Sequence, residues 1–433
     1  MTPGDVVSAV LSRSPAALGV LLFRSLPFAA WALVSRRARP AARLAPAAAV
    51  LALLLGAWRW RPGLVHDLAP VPGLFAYFAL CALGIHALCR WAPRSVLRGG
   101  AALVAGCLLF VALPALFVRT PGVAPMVIFG WEAALSAHSY AVDGLRARPS
   151  WRDALSFLLV HPTLVFAERP SQTSPLGADW RGGARVVLGT VTLVGRDAML
   201  LAVAQVPWLR PRDLDAVTGP AGYAAFVLSQ LPLLLGLYCA HSGLASIQIG
   251  WMRVLGFRLP ERYRYPLLAV TPRDFWERWN AWIGRWVHLY LYRPVGRALY
   301  RRLPMRPAAS LAALASFVAC GLLHDVGAWG LRATSGRTSF TVSFTVLFFV
   351  IGVVYAVWQL VERRGASRPR ATPVLARAAA WVAMMHLVCV VAWLAVPVLR
   401  GGHLPPSVRR TATAARERIM RTLREDSSRS ASD

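Results

Sequence analysis

Apolar runs interrupted by short polar stretches recur along the whole chain, at residues 17–34, 44–57, 71–88, 100–118, 122–141, 155–167, 184–206, 219–239, 308–323, 340–361 and 374–398. A membrane-crossing helix needs about 20 mainly apolar residues, so the pattern predicts roughly ten or eleven membrane segments, the shorter ones tilted or re-entrant. The expected fold is an all-α, polytopic membrane bundle. No internal repeat and no long linker divides it, so residues 1–404 read as one domain. Residues 405–433 form a basic tail whose first half has an Arg-rich helical pattern; its Ser-rich end is expected to be disordered.

One stretch departs from the plain spanning pattern. Residues 271–296, TPRDFWERWNAWIGRWVHLYLYRPVG, predict a single charged helix. Thr271 can cap it, Pro272 suits its first position, and Asp274 meets free N–H groups three residues after the cap. Pro294 is expected to end it, which gives a rod of about 30 Å. At 100° per residue, Phe275, Trp279, Trp282, Trp286 and Tyr290 form an aromatic stripe. Asp274, Glu277, Arg278 and Arg285 form a charged one. Asn280 falls on a third strip with Arg273, Trp276, Ile283, Gly284 and Val287, so its amide should point into packed protein and need partners there. The competing reading is an amphipathic helix lying at the membrane interface.

Composition sharpens the class: 57% hydrophobic and 15% charged residues over 433 positions exclude a soluble globular protein. The +29 formal charge comes from arginines that fall mainly between apolar runs, where positive loops orient membrane spans, so no nucleic-acid partner is expected. The chain has no lysine, which reads as coding bias. All six cysteines lie in apolar stretches without metal-ligand spacing, and neither disulfide nor metal site is implied. The first apolar run lacks a convincing cleavage site and is expected to stay attached. The arginines of the tail favour the cytoplasmic side of a bacterial inner membrane.

Polar groups inside apolar runs cost free energy and mark candidates. Glu132, His138 and Asp143 share one run; Glu132 either binds an acceptor hydroxyl or pairs with an arginine. Arg196 and Asp197 read as mutually compensating. His86, His161 and His386 read as packing histidines. His324 stands in CGLLHDVG, with Gly321 and Gly327 allowing close backbone approach and Asp325 beside it. A buried imidazole is a natural general base for a hydroxyl, although a lone histidine is more often core.

Three blocks together resemble the membrane-bound O-acyltransferase family, most closely its bacterial branch of alginate O-acetyltransferases and D-alanyl transfer proteins. They are YCAHSGLASIQIG from Tyr238 followed by LGFRLPERYRYPLLA, then RDFWERWNAWIGRW with YLYRPVG, then CGLLHDVG. A weaker echo begins at Ser139, so the resemblance covers about 139–330. It implies catalytic roles for His324 and Asn280. The acyl donor would be an acyl-CoA or acyl carrier protein thioester, with no bound cofactor. The acceptor would be a glycan or lipid hydroxyl, and the partner implied is an envelope acetyl-transfer protein. Candidate substrate-binding residues are Arg273, Trp276, Arg278, Trp279, Glu132 and Asp325. Arg273 and Arg278 would engage coenzyme A phosphates or else pair with Glu277 and Asp274. The polysaccharide branch usually has His where Asn280 stands, and the first block has Ala240 and Ser246 in place of its usual acidic residues. Both departures bear on the acceptor: acetyl transfer to an envelope glycan is the leading expectation, and acylation of a lipid alcohol follows. A transporter, the alternative of another class, should show repeated halves with paired broken segments.

Overall fold

The computed structural model describes residues 25, 28, 29, 45–52, 55, 70–91, 96–117, 124–147, 149–160, 163–168, 179–206, 217, 219–333, 340–361 and 378–390. Most of the first apolar run, part of the second, His161 and the basic tail lie outside them. Regular structure among the described residues is helical throughout. Helix α1 is Pro70–Trp91; α2, Val96–Gly106, continues through a π-helical turn, Cys107–Ala112, into Leu113–Phe117. Helix α3 is Ala124–Ala147, and the short α4, Trp151–Leu155, leads into a second π turn, Ser156–Val160. Next come α5, Arg181–Gln205, α6, Gly219–Val254, α7, Pro272–Arg278, and α8, Ala281–Val287. A third π turn, His288–Tyr292, joins α8 to α9, Arg293–Tyr300. The last described helices are α10, Met305–Ala333, α11, Ser343–Val361, and α12, Ala378–Val390.

Among the described residues, five helical stretches are long and apolar enough to cross a membrane: Gly73–Trp91, Arg98–Ala115, Gly219–Val254, Met305–Gly330 and Ser343–Val361. The all-α, polytopic membrane class is thus the observed one. Among the described residues, the run at 155–167 is not one of these five. It holds the end of α4, a π turn and a 3₁₀ turn at Phe166–Glu168, which Ser139 ties down by accepting the Phe166 N–H at 2.9 Å. Asp143 accepts the Ala167 N–H at 3.0 Å and the Tyr290 hydroxyl at 2.5 Å.

Helix α6 has 36 residues, about 54 Å, which exceeds the roughly 30 Å apolar core of a bilayer. Its far end is buried on every side, Ile247 through Met252 all being buried, so that part packs within protein. Helices α5 and α6 touch backbone to backbone. A Cβ on Gly182 would stand 2.4 Å from the Gly250 carbonyl oxygen, and one on Gly189 2.6 Å from that of Gly243. Close approach through small residues is a standard solution for helices in lipid, where burial of apolar surface drives nothing. Gly321 does the same between α10 and α11, its ideal Cβ falling 2.7 Å from the Thr345 Cα.

The stretch 271–296 is a correction to the single-helix expectation. It starts as the sequence suggests, with the Thr271 hydroxyl accepting the Asp274 N–H at 3.0 Å and Asp274 accepting the Val270 N–H at 3.4 Å. Helix α7 then stops at Arg278. Trp279 is extended and Asn280 is left-handed, with φ 47° and ψ 60°. Asparagine tolerates that conformation better than most residues, and its side chain caps α8 by accepting the Ile283 N–H at 3.5 Å. The backbone groups freed by the break find partners in the preceding segment: the Arg264 N–H donates to the Arg278 carbonyl at 3.0 Å and the Ala281 N–H to the Arg262 carbonyl at 2.7 Å. Nor does Pro294 end a helix. It lies within continuous helix, just past the π turn, where the Arg293 N–H donates to the His288 carbonyl. The aromatic stripe does face inward, with Phe275, Trp282 and Trp286 buried.

Candidate active site

The break between α7 and α8 puts Asn280 on the wall of a cavity of about 580 Å³, which His324, Glu132, Trp276 and Trp279 also line. Residues far apart in the chain therefore meet there. Arg273, Arg278 and Asp325 are not on that wall. Arg273 is exposed and donates to Glu277 at 2.9 Å, while Arg278 donates to Asp274 at 2.5 Å, the pairing that their i,i+4 spacing permits.

His324 is held in one tautomer. Its Nδ1 lies 2.7 Å from the Cys320 carbonyl oxygen one turn earlier. A carbonyl can only accept, so Nδ1 carries the proton and Nε2 keeps its lone pair. The rings of Trp131, Phe348 and Phe344 surround the imidazole at centroid distances of 4.9, 4.8 and 5.6 Å. Gly321 brings α11 close enough for that, whereas a Cβ on Gly327 would meet Trp131 at 3.7 Å, an ordinary contact.

Asp325, 0% exposed, faces away from the cavity. Its carboxylate accepts the Phe344 N–H at 2.8 Å, the Thr345 N–H at 2.8 Å and the Thr345 hydroxyl at 2.6 Å. It thus satisfies first-turn donors of α11 and suits the positive end of that helix.

Asn280 belongs to a buried polar chain. Its Oδ1 accepts from Arg262 Nε at 2.9 Å, and Arg262 Nη2 donates to Glu132 Oε1 at 2.7 Å. The Arg262 guanidinium also lies 5.2 Å from the Trp282 ring centroid. Burial works against the Arg262 cation, yet Glu132 and Tyr263 outweigh it and hold its pKa above the ordinary arginine value. Burial pushes the neighbouring Tyr263 phenol up to about 12, although Arg262 opposes the rise. Glu132 thus has the arginine partner that the sequence allowed.

Arg262, His241 and Arg332 are cavity residues that sequence reasoning missed. His241 repeats the geometry of His324: Nδ1 lies 2.8 Å from the Leu237 carbonyl oxygen, which leaves Nε2 free, and its accessible face lines the cavity. The signal in the sequence was a histidine inside the mainly apolar block YCAHSGLASIQIG. Arg332, near the end of α10, lines the cavity and donates through Nη2 to the Thr341 hydroxyl at 3.0 Å. Its Nε is buried without a partner among the described residues, and burial lowers its pKa. The remaining expectations concern packing. His86 bonds the Tyr140 hydroxyl at 2.7 Å, His386 contacts that of Tyr223, and Arg196 pairs with Asp197 at 3.6 Å.

No family model matches the chain. It is similar to a probable alginate O-acetylase of Pseudomonas syringae, with 27% identity over 174 residues covering 36% of this chain and 32% of the relative. It is similar to a long-chain-alcohol O-fatty-acyltransferase of Simmondsia chinensis, with 31% identity over 141 residues covering 31% and 39%. A peptidoglycan O-acetyltransferase of Helicobacter pylori is 28% identical over 120 residues covering 26% and 23%. These proteins are membrane-bound O-acyltransferases, and the resemblance read from the three blocks is to that family. The matches extend over about a third of the length of the alginate and long-chain-alcohol relatives.

Proposed function

We propose that the chain is a membrane O-acyltransferase that moves an acyl group, acetyl in the first instance, from a thioester to a hydroxyl of a cell-envelope glycan, in a bacterial inner membrane with its basic tail in the cytoplasm. The observation that carries this reading is the meeting of His324 and Asn280 on one cavity. Nε2 of His324 takes the acceptor proton as the hydroxyl oxygen bonds to the thioester carbonyl carbon. The N–H₂ group of Asn280 donates to the oxyanion that forms. Collapse breaks the C–S bond, and the imidazolium returns its proton to the leaving thiolate. A thioester is already activated, so no covalent enzyme intermediate is needed. Arg332, whose buried Nε meets no hydrogen-bond partner among the described residues, suits the phosphate of the coenzyme A or carrier-protein arm.

A second reading, acylation of a lipid alcohol, is favoured by the opposite wall. Leu347, Val350, Ile351 and Val354 of α11, with Leu387 and Val390 of α12, line the cavity with side chains suited to a hydrocarbon. Purified protein given labelled acetyl-CoA or palmitoyl-CoA, with glycan or fatty alcohol as acceptor, separates the readings by which ester appears. His324→Ala should abolish transfer while the protein stays folded. In the parent, kcat/KM should fall as pH drops and the imidazole gains a proton. Normal turnover in the variant would remove the proposed base.

A further inference from the structure

The carbonyl and amino ends of a carboxamide are alike in shape, so something must decide which end of Asn280 faces the reacting atoms. Oδ1 sits 2.9 Å from Arg262 Nε and 3.5 Å from the Ile283 N–H. Both neighbours are donors, and a guanidinium has no acceptor. Turning the amide over would set N–H against N–H at two contacts at once. Arg262 is itself immobilised: it is 6% exposed, held by Glu132 at 2.7 Å, stacked on Trp282, and joined through its own carbonyl to the Ala281 N–H at 2.7 Å. We propose that Arg262, clamped by Glu132, is a positioning residue that locks the Asn280 carboxamide with its N–H₂ group toward the cavity. Arg262 and Glu132, which border the same cavity, then serve turnover through the orientation they give Asn280. The inference rests on the acyl-transfer reading and adds a part to its machinery.

The test is a double-mutant cycle on the full-length protein with acetyl-CoA or palmitoyl-CoA as donor, whichever is used. Arg262→Lys keeps a positive charge opposite Glu132 but loses the planar fork that reaches Oδ1. It should lower kcat by about 10–100-fold, up to the range seen when one oxyanion donor is lost, and leave the donor KM within about 2-fold. Asn280→Gly should lower kcat by about 100-fold or more, and adding Arg262→Lys should cost nothing further, because the group it orients is gone. An Arg262→Lys variant with parental kcat, or a double variant whose loss is the product of the two single losses, would overturn the proposal. A second readout needs no turnover. Asn280→Asp keeps an acceptor opposite Arg262 and removes both N–H donors, so its unfolding temperature should equal or exceed the parent's. A fall as large as that of Asn280→Leu would mean that the amide is held the other way round. If the parent transfers no acyl group, the acyl-transfer reading fails, and this stability comparison still decides the orientation.

Discussion

Asp325→Ala isolates what the residue beside the proposed base contributes. The substitution removes three hydrogen bonds, two of them from the backbone N–H groups of Phe344 and Thr345 in the first turn of α11. Each N–H left buried without a partner costs about 1–3 kcal/mol, and loss of an anion at a helix N-terminus adds about 0.3–2 kcal/mol. Against this, the variant no longer buries an ion, a relief that is itself of several kcal/mol where the ion is badly solvated. Here the carboxylate is well satisfied, so the loss dominates and a net destabilisation of about 2–4 kcal/mol is expected. Asp325→Asn can keep one oxygen toward Thr345 but turns a donor toward Phe344, and should cost about half as much. Reversible unfolding in detergent micelles measures both. Since α11 carries the Phe344 and Phe348 rings that pack on His324, kcat should fall at temperatures where the protein is still folded. Unfolding of Asp325→Ala within about 0.5 kcal/mol of the parent would refute the reasoning, because it would mean that solvent or a rearranged helix end replaces the carboxylate at no cost.

Asn280→Ala and Asn280→Gly both remove the carboxamide, but alanine adds the strain of a left-handed residue, about 1–2 kcal/mol, and glycine does not. Equal kcat losses with unequal unfolding temperatures are expected; equal stabilities would mean that the backbone at 280 is not held left-handed. Gly250→Leu should force α5 from α6, since even a Cβ there falls 2.7 Å from the Gly182 carbonyl oxygen, and folded yield in membranes should drop sharply. Undiminished yield would argue against that seam. Arg332→Gln should raise the KM for acyl-CoA several-fold and leave that for an acyl-pantetheine without phosphates unchanged. Equal effects on both donors would show that Arg332 does not meet the phosphates.

Local signals in the sequence were read correctly where cause and effect lie within one turn. The Thr271 cap and Pro272 at the first position follow from spacing alone, and of the two roles left open for Arg273 and Arg278 the structure shows the i,i+4 pairs with Glu277 and Asp274. The interruption at Asn280 was not foreseen, because a helical projection assumes the continuity it is used to test. What makes the break favourable lies in the segment before α7, where Arg262 and Arg264 supply partners for the freed backbone. The same distance hid the work of Asp325, whose partners come 19 and 20 residues later on another helix. It also hid the arginine that Glu132 would choose, 130 positions away.

The glycine contacts divide the bundle into parts of unequal stiffness. Where backbones touch, as α5 on α6 and α10 on α11, neither helix can slide without one main chain climbing over the other, so each pair moves as a plank. The jointed α7–α8 segment lies between them like an elbow between two boards. A change in the width of the chamber then requires the boards to tilt or α12 to repack, and the methionines Met384 and Met385 on α12 have the rotameric freedom to follow.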